Sequence, residues 1–409
     1  MARVKQRLKT DRVQDIRGET RQKLIDAGIA HKVKKGDRIA VSGSSRGFGG
    51  FIELIQGICD AVRFAGGEPF VFPAMGSHGG ATAEGQVEVL RRLGLTEETA
   101  TAPIQSTMET VELGTSKTGA RAHADRLALE ADGIIILGCP KIHPENAEGI
   151  ASGLCKITTV GLGKQRGAQQ AHSHGLWDSV QSVPEISLAK AKVLFGVAMV
   201  ENSMRMPALI EVVPGTYEAF LETDRRLLAF SKQYFAELPF QQLDLLIIDR
   251  VGKNISGTCM DLNVIGKWRL EGGERKPDIH RLVPLSLTPE SLGNGIGVGL
   301  ADFTTQRLAD EYSPENTYIN VLTATEPGAM NSWEGGLPMV LPTDRDAIEV
   351  GLYSALPRAE PRVCRIKSTA ELDEFWISPA LMRDIEGRPG ITVEDAPESW
   401  AYDSRGNLF

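Results

Sequence analysis

The sequence predicts an α/β protein built as two domains with mainly parallel sheets. Three observations lead there. The chain has 409 residues, more than one ordinary hydrophobic core encloses. Short apolar runs alternate with amphipathic stretches, which is the rhythm of βα units. The loops that follow those apolar runs each carry an ionisable residue, at the strand ends where open α/β sheets bind ligands.

Asp37–Gly43 (DRIAVSG) reads as a buried strand closed by glycine, and SSRGFGG as the loop after it. FIELIQGICDAVRFAGG reads as an amphipathic helix stopped by paired glycines. EPFVFPAMG is the next strand, interrupted by Pro73, and ATAEGQVEVLRRLG is a helix that exits at Gly94. HADRLALEADGIIILG reads as a helix followed by a strand. KVLFGVAMV and LDLLIIDRVG are further buried strands. From about Pro239 the pattern restarts, with TYINVLTAT and RVCRIKST as strand candidates. ESLGNGIGVGLADFTTQRLADEY reads as a loop or strand feeding a helix, and PRAEPR as a turn. The last stretch, from GRPGITVED onward, is polar and turn-rich. These segments place one domain at 1–235, a second at 236–390 and a surface tail at 391–409.

Composition narrows the function classes. Hydrophobic residues make up 42% and charged residues 24%, the balance of a soluble globular protein, and the net charge is −8. An acidic chain does not favour nucleic acid as a partner. No apolar run approaches the roughly 20 residues that span a bilayer, so no membrane partner is expected. The basic N-terminus has no apolar core behind it and is not a secretory signal. The five cysteines, Cys59, Cys139, Cys155, Cys259 and Cys364, are odd in number and contain no CxxC. That fits a reducing, cytoplasmic setting and argues against a zinc ribbon.

Four loops hold the candidate groups: SGSSRGFGG with Arg46, AMGSHGGAT with His78, GCPKIHPEN with Lys141 and His143, and DRVGKNISG with Lys253. His78 stands among glycines that allow close backbone approach, and histidine titrates near neutrality. It reads as an acid/base group or as a capping histidine. His143 follows the strand GIIILG. Arg46 and Lys253 suit a carboxylate or phosphate, or are plain surface charges. Ser44 and Ser45 belong to GSSRG, which matches GxSxG between a strand and a helix. It reads as an anion-holding turn ahead of a nucleophile elbow. Lys156 sits in the apolar, glycine-rich run GIASGLCKITTVGLG, where a desolvated amine becomes a nucleophile or attachment point. Cys155 beside it reads as a small core residue or a reactive thiol. His172 and His174, preceded by Lys164 and Arg166, diverge by about 200° on a helix, so the stretch reads as one metal ligand rather than two or as a solvated basic helix end. GNGIGVG lacks dinucleotide-loop spacing. From these residues alone the reading is a two-domain α/β enzyme acting on a small anionic substrate, with histidine acid/base groups and a possible metal.

Taken together the loops resemble the nickel-dependent lactate racemase family and its 2-hydroxyacid racemase and epimerase homologues. PAMGSHGGATAEGQ (73–86), ASGLCKITTVGLGKQRGA (151–168) leading to His172, VLFGVAMVEN and GKNISGTCMDLNVIG (252–266) carry the resemblance. It covers about residues 37–270 well and the remainder loosely. It implies a nickel-pincer nucleotide held covalently on Lys156, with His172 as the protein ligand to nickel. Ser44 and Ser45 belong to its binding loop. It implies His78 and His143 as acid/base groups on opposite faces of the substrate. Arg46 and Lys253 would hold the substrate carboxylate or a phosphate, and Trp333 would pack over the substrate. The two domains would flank a central cleft.

The implied activity is inversion of the α carbon of a small 2-hydroxy acid, an isomerase reaction. Separate maturation proteins would make the cofactor, and an isolated chain can lack it. The alternatives are a non-catalytic binder or carrier of the cofactor or of a small organic acid, and a sugar-acid redox or lyase variant. The chain departs from the family pattern where KIHPEN replaces a KPHTDF-like loop and GTCMDLN replaces GxGMDPN. Both changes bear on the substrate, so lactate itself is not implied. Oligomeric state is not read from the sequence.

Overall fold

The computed structural model describes residues 1–143, 149–325 and 332–408. Pro144, Glu145 and Asn146 of the KIHPEN loop, and the Trp333 side chain, lie outside the described residues. The chain divides into two units. One comprises Thr10–Phe235 and a segment that begins at Ile319. The other comprises Met1–Lys9, Ala236–Tyr318 and the C-terminal residues. Strand β1 (Ala2–Gln6) therefore opens the chain but belongs to the second unit.

In the first unit the strands are β2 (Arg38–Gly43), β3 (Glu68–Pro73), β4 (Thr110–Thr115), β5 (Arg121–Asp125), β6 (Gly133–Gly138), β7 (Val193–Glu201) and β8 (Pro207–Pro214). Five of them form one sheet in the order β3-β2-β6-β7-β8. The first four run parallel, and β8 returns antiparallel to β7. β2, β3 and β6 are buried over nearly their whole length, as strands covered on both faces must be. The helix Phe51–Phe64 covers one face with Phe51, Leu54, Ile55, Ile58 and Val62. On the core side, Ile134, Ile136, Phe70, Phe72, Leu154 and Phe220 pack together.

Two local expectations change here. HADRLALEA is not one helix. Its first residues finish β5, which pairs antiparallel with β4, and only Arg126–Leu129 is helical. Asp125 ends the strand and starts the helix by accepting a bond from the Ala128 N–H at 3.1 Å. TYINVLTAT is not a strand but most of the helix Pro314–Ala324. Its β-branched residues mimic a strand, yet Ser313 accepts from the Asn316 N–H and Pro314 occupies the first turn, a helix-start signal. Thr317, Asn320, Val321 and Thr323 are buried while Tyr318 and Leu322 are exposed, the three-to-four spacing of a helix face.

The second unit holds β9 (Gln242–Ile248), β10 (Asp278–Pro284), β11 (Phe303–Thr305), β12 (Met339–Leu341), β13 (Val363–Ser368), β14 (Glu371–Ile377) and β15 (Ile391–Val393). Its main sheet has the order β10-β9-β13-β14-β1-β15. β10, β9 and β13 are parallel, whereas β14, β1 and β15 are antiparallel. Mainly parallel pairing thus describes the first sheet better than the second. The structure also differs from the sequence boundaries at both chain ends. ARVKQ alternates apolar and polar residues, and Ala2 and Val4 are fully buried. The stretch beyond 390 is not only a surface tail: β15 pairs with β1, and Trp400, Tyr402 and Leu408 pack on the core. Among the described residues no helix is long and apolar enough to cross a membrane.

Because β1 is an interior strand of that sheet, Val4→Asp buries an unpaired carboxylate. Urea unfolding is expected to show a loss of about 3 kcal/mol or more, with faster amide exchange in β14.

Candidate functional site

Parallel strands point their carboxyl ends the same way. The loops after β2, β3, β6 and β7 therefore open at one edge of the first unit's sheet. Those loops carry Ser44, Ser45 and Arg46, then His78, then Lys141 and His143, then Glu201 with Arg205.

The loop after β2 is a serine turn. Ser44 Oγ accepts from the Arg46 N–H at 3.2 Å. Ser45 makes no hydrogen bond to a histidine among the described residues, so the nucleophile-elbow reading gains no support. Beside this loop stands Glu201, partly buried at the end of β7. Its carboxylate pairs with Lys141 and lies 3.9 Å from Arg205 Nε. Burial alone would raise the Glu201 carboxyl, but Lys141 and Arg205, with Arg46 adding to them, more than offset it and hold it below its usual value. It is ionised at neutral pH, held so by these cations. Arg205 also donates to the Gly47 carbonyl, and the Gly49 N–H donates to the Arg205 carbonyl at 2.8 Å. Glu201 and Arg205 were not singled out in the sequence. Their signal was present, as VEN followed by an arginine at the end of a buried strand.

His143 is 5% exposed. Its ring meets the Trp177 ring edge to face, with centroids 4.9 Å apart. The Lys156 ammonium lies over the same indole, 5.0 Å from its centroid. A cation over an indole face is held by the ring quadrupole. Trp177 thus joins two candidate residues that are 13 positions apart in sequence. Sequence reasoning missed it. The one signal was a large aromatic two residues after the HSHG turn.

Lys156 is held from below. The segment Gly153–Ser173 is helical but irregular: Leu154–Lys156 is α, Ile157–Gly161 is π, and Lys164–Ser173 is α again. Asp224 accepts from the Leu154 and Cys155 N–H groups, each at 2.8 Å. At Gly153 any Cβ would strike the Asp224 carboxylate at 2.2 Å, so only glycine fits there. Cys155 is fully buried and its thiol is pushed well above the ordinary value by burial, which excludes a reactive-thiol role. A straight helix would separate Lys156 from His172 by about 24 Å. The turn at Leu162–Gly163 and the left-handed backbone of Lys164 (φ 54°) break the helix and remove that constraint.

His172 lies half-buried in the last turn of its helix. His174 is exposed, its Nδ1 meets the Gln170 carbonyl at 2.9 Å, and its ring packs by Gly119. The His78 loop lies against this segment, because a Cβ at Gly76 would meet Val160 at 3.2 Å and Ala168 at 3.6 Å. Val160 is one turn beyond Lys156 and Ala168 one turn before His172. Lys164 itself, expected to belong to a solvated basic helix end, is fully buried beneath the His78 loop. Lys253 belongs to the second unit, on the loop after β9. It is 6% exposed, and its ammonium donates to the Gly257 carbonyl of its own loop.

No group of three or more His, Cys, Asp or Glu able to hold a metal occurs among the described residues. On the 153–173 segment the donors that are not fully buried include the His172 imidazole and the Lys156 amine, while the Lys164 amine and the Cys155 thiol are fully buried. That set suits a metal that arrives inside a cofactor with its own donors.

No protein-family model and no curated protein matches the chain. Among solved structures, a Thermotoga maritima protein is similar over 90% of this chain and 99% of that one, with a TM-score of 0.53 and 13% identity. That likeness shows a shared α/β fold. The lactate racemase apoprotein from Thermoanaerobacterium thermosaccharolyticum matches over 89% of this chain and 95% of that one, at 12% identity and a TM-score of 0.47.

Asp224 gives this site a pH signature. Burial pushes its carboxyl up from 3.8 to about 7, against the two N–H bonds that favour the ionised form. The folded state therefore keeps a proton that the unfolded chain gives up between about pH 4 and 7. The group's contribution to stability is fully present below pH 4 and is lost as pH rises toward 7. The unfolding free energy of the wild type, minus that of Asp224→Asn, is expected to fall across this window. The slope approaches about 1.4 kcal/mol per pH unit in its middle. Urea titrations at several pH values check it, and a flat difference would contradict it.

Proposed function

We propose that the chain inverts the α carbon of a small 2-hydroxy acid, as a racemase or epimerase. The observation that carries this reading is the shared contact of the His143 ring and the Lys156 ammonium with Trp177. An acid/base candidate and an amine attachment candidate meet one rigid aromatic at the carboxyl edge of the sheet. A second histidine, His78, ends the loop after β3 at that same edge.

The residues fit a nickel-pincer nucleotide: Lys156 would anchor it, His172 would ligate its nickel, and the loop of Ser44 and Ser45 would accept its phosphate. Bound there, the group supplies the hydride acceptor and donor that inversion at an unactivated C–H requires. The chain's own residues do the rest. One imidazole, His78 or His143, takes the proton from the substrate's α-hydroxyl oxygen. The other returns a proton to that oxygen after the opposite face has been presented. Two imidazoles, one on each face, would serve both directions. Arg46, Lys141 and Arg205 are the cations at that corner that would hold a substrate carboxylate. Trp177 closes the wall behind His143 and keeps water from it.

The test is a chain made in a host that has the cofactor-making pathway. Intact mass is expected to show an adduct that maps to Lys156, with about one nickel per chain. Chiral chromatography over a panel of 2-hydroxy acids is expected to show inversion. His78→Ala and His143→Ala should each lower the rate by about 10²- to 10⁴-fold while nickel stays bound. Undiminished turnover in either variant removes the two-base mechanism. An unmodified, nickel-free chain from that host removes the cofactor, and the small-acid carrier reading takes its place.

A further inference from the structure

We infer that Lys164 is a positioning residue: acting through Gln86, its buried ammonium fixes the His78 loop against the helical segment that carries Lys156 and His172. The inference rests on the reading of His78 as an acid/base group.

Lys164 has no exposed surface, and neither has Gln86 nor Asp125. The Lys164 ammonium donates to the Pro73 carbonyl at 2.7 Å and to Gln86 Oε1 at 2.7 Å. Asp125 Oδ2 lies 3.2 Å away and completes an ion pair. An ammonium only donates, so the Gln86 amide must turn its oxygen toward Lys164 and its NH₂ the other way. That NH₂ reaches the Gly76 carbonyl at 2.8 Å and the His78 carbonyl at 3.4 Å. Three backbone carbonyls between Pro73 and His78 are therefore held by one connected network.

The loop needs such a hold. Gly76, Gly79 and Gly80 all have left-handed backbones, and no strand or helix covers Ala74–His78. Lys164 reaches the loop from an unusual place. Its own backbone is left-handed, at the break between the π-helical turn and the helix that ends in His172. This is a strained conformation for a residue with a Cβ, and such strain gathers where function over-determines it. Burial pushes the Lys164 amine down and the Asp125 carboxyl up, each opposed by the other. Two oxygens accept from the nitrogen, and the Asp125 carboxylate stands at 3.2 Å as an ion-pair partner without an aligned hydrogen bond. Apolar residues would fill this space at lower desolvation cost. What they would not supply is the donors to the loop.

Two full-length variants separate positioning from mere packing. Gln86→Leu keeps the Lys164–Asp125 pair and cuts its link to Gly76 and His78. Lys164→Met combined with Asp125→Asn removes the pair without stranding a charge. Amide exchange is read over 74–82, over β6 and over the helix Ala83–Arg92, and the His78 ring is followed by NMR with labelled histidine. In both variants exchange over 74–82 is expected to speed up by about 10-fold or more, with β6 unchanged and the His78 resonance shifted. In cofactor-loaded protein kcat should fall by about 10- to 100-fold with KM little changed. Unchanged loop exchange and an unmoved His78 resonance in Gln86→Leu would overturn the inference. So would a loss of protection spread evenly through the unit, which is what a packing role produces. A loosened loop and shifted resonance in a protein that inverts no 2-hydroxy acid would uphold the positioning role and sink the catalytic reading of His78.

Discussion

Parallel pairing of β3, β2, β6 and β7 is the constraint on which the rest of this molecule depends. Strands that run the same way deliver their following loops to one edge, whatever those loops contain. Arg46, His78, His143 and Glu201 come from four segments spread over more than 150 residues of sequence. They share an edge because the sheet is buried on both faces and its strands cannot turn over without exposing Ile134, Ile136 and Phe72 to water.

On that edge, two charge systems divide the work. Glu201 pairs with Lys141 of the loop after β6, and Arg205 ties the loop after β7 to the loop after β2. Lys164 is a cation wrapped in carbonyl, amide and carboxylate oxygens, and it ties the loop after β3 to the segment of Lys156 and His172. In each case a long side chain spans two loops that have no regular backbone pairing of their own. Asp224 does the same for the start of the Lys156 segment, where two N–H groups would otherwise be buried without partners. The loops are therefore held by side-chain donors and acceptors, and their geometry is as rigid as those contacts are complete.

Much of this was legible in the sequence. The strands DRIAVSG, EPFVFP, GIIILG and VLFGVAMV announce themselves as short apolar runs, and the helix FIELIQGICDAVRF as a stripe of apolar residues at helical spacing. The candidate groups could be found because each follows such a run. Misreadings came where local composition and tertiary context disagreed. TYINVLTAT is rich in β-branched residues but is helical, because Ser313 and Pro314 start a helix and one face of it is buried. Lys164 reads as a solvated cation, since nothing local reveals that Asp125 and Gln86 will close around it. Trp177 goes unnoticed, since its contact with His143 needs a fold to bring the two rings within 5 Å.

By itself the sequence determined the α/β class, the order of the first sheet's building blocks and the positions of the histidines and lysines at strand ends. Hydrophobic periodicity and glycine punctuation are local properties, and local properties survive in a string of letters. Only the tertiary structure decided that the first five residues complete the second unit's sheet and that the last stretch adds a strand beside them. It alone decided that Trp177 joins His143 to Lys156, and that Lys164 is buried. Those outcomes depend on partners distant in sequence. Whether a polar group ends in water or among oxygens is settled by what packs against it.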